Sequence, residues 1–262
     1  MVYISRLVFI FLLSLPFYSI AQTKMNKDSL EAYFNNLKES ERLKKENIEV
    51  MIMNNQSSES AVFKFFLNNK KKIDEAMHRK DFTDNHINYI ISKEEIDSVL
   101  FASQKLNSDP NWTNMTQNIT KKFGKQYADK PILEAKLRWY GFRKDTIQLI
   151  KYNIEKFEKY GIDTVGFAKY VFNGVMWDTF QHINDLDVLN KAIYMMESII
   201  IPNSDQAAWF IDTYANLLYK SGRKTEAIKW DRRALDLEPN DADIKANYEK
   251  MKQGIPTWPT IK

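Results

Sequence analysis

An all-α fold is what this chain predicts, and three observations predict it. The 262 residues include only 7 glycines, too few for a turn-rich β architecture. No segment alternates apolar and polar residues with a period of two over the length of a strand. Helix start and stop signals recur at short intervals from Lys24 onward. Apolar residues at 44% suffice for a sizeable core, so the chain is not a disordered one. The absence of cysteine excludes disulfides, thiolate metal sites and dithiol redox chemistry. The 38 basic and 34 acidic residues give a net charge of +4, too small an imbalance to mark a nucleic-acid partner.

The chain opens with a targeting pattern. Met1 to Arg6 carries one positive charge, Leu7 to Leu15 is almost unbroken apolar, and Ser19-Ile20-Ala21 places small residues where a signal peptidase reads. This predicts a signal peptide over residues 1–21, cleavage before Gln22, and a mature chain in the periplasm or outside the cell. The apolar run is shorter than the roughly 20 residues needed to span a bilayer and is interrupted by Pro16. No later run reaches that length, so no membrane span is expected in the mature chain. Without cysteine, an exported protein must be stable on packing alone.

Asp28-Ser29-Leu30-Glu31 has the form of a capping box and predicts a helix toward Met51. The polar stretch 54–60 predicts a loop. Val62, Phe65, Phe66, Ile73 and Met77 share one face of a second helix, from about Glu59 to Lys80. Residues 81–106 predict one or two shorter helices. Asp109-Pro110 reads as a helix start with Gly124 as its stop. These segments make an N-terminal helical region over 22–130.

Beyond it the punctuation becomes regular. Pro131 opens a helix, Gly141 to Asp145 turns, Asp145 caps a helix that ends at Gly161, and Asp163 caps the next, toward Ile183. Residues 184–187 turn into a helix that stops before Pro202. The last three helices run from about Ser204 to Lys220, from Ser221-Gly222 to Leu237, and from Ala242 to Gln253, followed by a proline-containing tail. Helix pairs joined by tight turns predict stacked hairpins over 131–254, with the tail at 255–262.

Ala208 to Asp241 span 34 positions and resemble a tetratricopeptide repeat. Counting Ala208 as position one, Ala215 stands at position eight, Gly222 at the turn, Ala227 at twenty, Ala234 at twenty-seven and Pro239 at thirty-two. Small alanines let the helices approach closely, glycine permits the turn, and proline ends the second helix. Ile211 replaces the usual tryptophan at position four. Asp231 replaces an aromatic at position twenty-four, which suggests that this helix faces solvent or a capping helix. A weaker copy lies upstream, with Ala192-Ile193 placed 35 residues before Ala227-Ile228, and Trp177, Phe180 and Leu189 filling its hairpin. Residues 130–250 also resemble the helical region found on exported bacterial thioredoxin-fold proteins, without the redox motif of that family.

The repeat resemblance implies a concave groove lined by the first helix of each pair, here Trp209, Asp212, Asn216, Tyr219 and Lys220. A tryptophan–tyrosine surface with a few polar groups suits a protein or peptide ligand. Asp212, Asp243 and Asn247 stand where the clamp for an acidic chain terminus would need basic residues. The three histidines, His78, His86 and His182, are too scattered for a metal site, and no catalytic residue, metal or cofactor is expected. Asp185 with Asp187 and Glu94 with Glu95 read as turn and cap chemistry rather than a glycosidase pair. Lys70-Lys71-Lys72 reads as a solvated face. The expected function is therefore an exported, noncatalytic scaffold for protein–protein interaction. The alternative is a helical enzyme or enzyme subunit acting on envelope or glycan substrates through a site with no recognisable motif.

Overall fold

The computed structural model describes residues 24–106, 108–200 and 207–259. The expected signal peptide and its expected cleavage point lie outside the described residues. Every regular element among the described residues is helical. No helix among them is long and apolar enough to cross a membrane. The chain divides between Ile90 and Ile91 into two compact units. That division falls inside the region read as 22–130.

The first unit contains α1 (Lys27–Asn36), α2 (Glu39–Arg42), α3 (Lys45–Asn54), α4 (Ala61–Ala76) and α5 (Phe82–Ile91), whose last residue crosses the division. The expected helix from Asp28 to Met51 is thus broken into three pieces. Its cap is Asn26, whose side chain accepts the Ser29 N–H, and Leu37 adopts an extended conformation that ends α1. Ser60 caps α4 by accepting the Phe63 N–H at 2.9 Å. Leu30, Phe34, Ile48, Met51, Val62, Phe66 and Ile73 pack into one core.

In the second unit a π-helical turn over Ser92–Ile96 leads into α6 (Asp97–Leu106), α7 (Trp112–Phe123), α8 (Asp129–Arg143) and α9 (Thr146–Tyr160). Then follow α10 (Phe167–His182), α11 (Leu186–Ile200), α12 (Ala208–Lys220), α13 (Lys224–Leu237) and α14 (Ala242–Lys252). Two expected caps move. Asn111 rather than Asp109 caps α7, and Gly166 precedes α10, while Asp163 accepts the Val165 N–H inside the turn. Asp145 caps α9 by accepting the Gln148 N–H at 3.0 Å, and α10 ends at Ile183.

Helix α12 packs on α10, α11, α13 and α14. Ala215, Ala227 and Ala234 are fully buried, so backbones meet closely where small residues stand. Gly222 has φ +94°, a left-handed conformation that glycine adopts without the steric cost of a side chain, and it lets α13 fold back on α12. The Tyr214 hydroxyl and the Arg223 guanidinium both donate to Glu197, which ties α11 to the α12–α13 hairpin. Phe172, Met176, Phe180, Met196, Phe210, Leu217 and Leu218 fill the core of these helices.

Candidate functional site

The five residues expected to line a groove have separate fates, because α12 is enclosed by its neighbours. From Phe210 to Tyr219 every residue of this helix is buried. Only Trp209 and Lys220, near its ends, keep partial exposure. These positions do not form one open surface.

Asp212 and Asn216 belong to a buried polar cluster between α12, α13 and α14. The Asn216 and Asn247 amides donate to Asp212 Oδ1 at 2.9 and 3.0 Å. Asp231, on α13, is 0% exposed and faces Asp212. A charge at position 231 suggested solvent or a capping helix; Asp231 is instead buried toward Asp212 of α12, and α14 supplies Asn247 to the same cluster. Burial, then the neighbouring Asp212 charge, pushes the Asp231 carboxyl well above the usual carboxylate range, and burial raises Asp212 too. The raised value makes Asp231 the member that holds a proton, with Asp212 as the acceptor within its reach. Two carboxyl groups do converge here, but in a packed interior that leaves no access for a glycan, so their role is structural.

Tyr219 and Lys220 face the C-terminal tail. The Lys220 ammonium donates to the Phe180 carbonyl at 2.7 Å, satisfying an otherwise free acceptor in the last turn of α10. It also lies 5.6 Å from the Trp258 ring centre, which in turn lies 5.9 Å from Tyr219 and 6.4 Å from Phe180.

Trp209 begins a row of stacked rings at the surface. Its ring lies 5.1 Å from Tyr170 at an interplanar angle of 16°, and Tyr170 lies 6.2 Å from Phe167 at 26°. Phe167 is 73% exposed and Tyr170 59%. Their spacing of three residues puts both on one face of α10. Trp209 meets Phe210 edge-to-face, and Phe210 packs on Phe172, so the row rests on the core. The sequence reading missed Phe167 and Tyr170; the signal was an aromatic pair at helical spacing in the first helix of the weaker repeat. The row is an exposed aromatic patch backed by the core.

The remaining titratable candidates are engaged in caps and ion pairs. Asp185 accepts the N–H groups of Asp187 and Val188 as a helix cap, and Glu95 pairs with Lys122 at 2.8 Å. Lys70 pairs with Asp84, and Lys71 with Glu75. Among the described residues no group of three or more histidines, aspartates or glutamates could hold a metal ion.

His86 lies in the core of the first unit, where the Asn55 amide meets its Nε2 at 3.3 Å and the Phe66 ring stands edge-on. Burial lowers its pKa from 6.5 to about 4. The unfolded chain therefore binds the extra proton between those values. The contribution of neutral His86 is complete above 6.5 and is lost as pH falls through about 4. Hydrogen-exchange protection of α3 to α5 is expected to drop across this window in the wild type and much less in His86→Gln. Equal drops in both would contradict the assignment.

No protein-family model, curated protein or solved structure matches the chain.

Proposed function

We propose that this chain is an exported, noncatalytic scaffold of tetratricopeptide type that binds a partner protein in the cell envelope. The observation that carries the reading is the exposed row Phe167–Tyr170–Trp209. Aromatic side chains with two rotatable bonds supply large contact area at low entropy cost, which is why they dominate binding hot spots.

The packing pattern supports the repeat reading. The first helices of successive pairs, α10, α12 and α14, are neighbours in order, and each pairs with the helix that follows it where one exists, α11 or α13. The buried alanines of α12 and α13 stand where the repeat resemblance expects them. The signal-peptide pattern of residues 1–21 supports export. The reading favours the exposed α10–α12 end over the whole length of α12, because the middle of α12 is covered by α13 and α14.

The test compares partner capture from envelope fractions by the wild type and by Phe167→Ala/Tyr170→Ala. Loss of two anchors is expected to weaken capture at least about tenfold while circular dichroism stays unchanged, since hot-spot truncations cost about 2 kcal/mol or more. Equal capture by both chains would contradict the placement.

A further inference from the structure

The tail after α14 carries an inference that rests on the peptide-binding reading and deepens it. Gly254, with φ +74°, turns the chain out of α14, and Ile255 donates its N–H to the Lys250 carbonyl. The next residues, Pro256-Thr257-Trp258-Pro259, carry no helix, and the chain bends at Thr257 and Trp258. Two prolines fix φ at their positions and remove two donors, leaving a segment of reduced entropy that needs few backbone hydrogen bonds to dock.

Its one large side chain, Trp258, is half-buried against the core of the second unit. The seat holds the indole by an edge-to-face ring, Phe180, a tilted ring, Tyr219, and the Lys220 ammonium against the π-face. Phe180 belongs to α10 and the other two to α12, so the tail bridges adjacent first helices. The seated group is the indole, and the prolines on either side of it hold the chain as it leaves the seat.

The fit is incomplete. The Tyr219 hydroxyl and the Thr257 Oγ1 are both buried without a hydrogen-bond partner. Ile255, Pro256 and Pro259 are exposed. A segment that strands two polar groups and anchors through a single side chain is held well enough to be seated and weakly enough to be exchanged.

We propose that the Phe180–Tyr219–Lys220 seat is a recognition site for a proline-flanked tryptophan on a segment of a partner protein, and that the chain's own tail occupies it until that segment competes. The seat is a second contact, separate from the aromatic row at the other end of α12.

The test uses the full chain carrying Trp258→Ala and a synthetic nonapeptide of the sequence 254–262, followed by calorimetry. An opened seat is expected to bind the peptide at least about tenfold more tightly than the wild type, because a resident tail lowers apparent affinity by the fraction of open seats. A peptide that keeps only the two prolines and the tryptophan, with alanine elsewhere, is expected to bind comparably, and one lacking the tryptophan not to bind. No binding to a Trp258→Ala chain with native circular dichroism would overturn the proposal. If that variant does not fold, hydrogen exchange on the wild type decides: excess peptide is expected to deprotect residues 257 and 258, and unchanged protection overturns the proposal. Dimerisation through exchanged tails, seen by size exclusion, would overturn the partner assignment in favour of a second copy. Because only purified chain and peptide are used, a negative result leaves the capture experiment at Phe167 and Tyr170 standing, and a failure of capture leaves this result standing.

Discussion

Asp231→Asn is expected to stabilise the second unit at pH 8 by about 1–3 kcal/mol and to flatten the dependence of its stability on pH. The reason is the proton that Asp231 keeps in the folded chain. An ordinary carboxyl in the unfolded chain gives its proton up near pH 4. The folded state therefore holds the extra proton through neutrality. The contribution is complete below the ordinary carboxylate pKa, and it is lost as pH rises toward the raised folded value. The slope is about 1.4 kcal/mol per pH unit for one proton. An asparagine amide can donate to Asp212 as the acid does, and it has no proton to lose.

All six tryptophans lie beyond Ile90, so urea unfolding followed by tryptophan fluorescence reports on the second unit alone. Midpoints that fall between pH 5 and 8 in the wild type and stay level in the variant are the expected result. A parallel fall in both would contradict a shared proton. The sign is opposite to that at His86, so mild acid is expected to loosen the first unit while it favours the cluster in the second.

Phe210→Ala is expected to cost the second unit about 3–5 kcal/mol, a large share of the roughly 5–15 kcal/mol that holds a domain together. Phe210 is fully buried, touches Phe172 across the α10–α12 interface and supports Trp209 from beneath. The same fluorescence titration checks it, and Trp209 is expected to become more solvent-exposed even in the folded variant. A loss below about 1 kcal/mol would mean that the site collapses without strain, and that the aromatic row is not anchored through this ring.

Much of the helix order was legible because its signals are local. Gly124, Gly161 and Gly222 end or turn helices where their positions suggested, and Asp145 caps α9. Cap identity was less legible where several polar residues stand in a row. At 26–29, 109–111 and 163–166 more than one residue could cap, and the packed chain selected Asn26, Asn111 and Gly166. The groove was misread for a different reason. Counting repeat positions places Asp212, Asn216 and Tyr219 on the open side of a first helix, but coverage by α14 and by Trp258 depends on contacts 35 or more residues away. Position 231 made this visible in hindsight: a carboxyl at an interior position requires a partner, and Asp212 is that partner.

The account stands on a partner protein docking against the exposed end of α10 and α12. The direct measurement places a photoreactive amino acid at Tyr170 in the full chain, expressed in its own cells, with exposed Lys72 of the first unit as the control position. A discrete adduct of one mass at position 170 and none at 72 is the predicted result. The same adducts at both positions, or none at either, would contradict it.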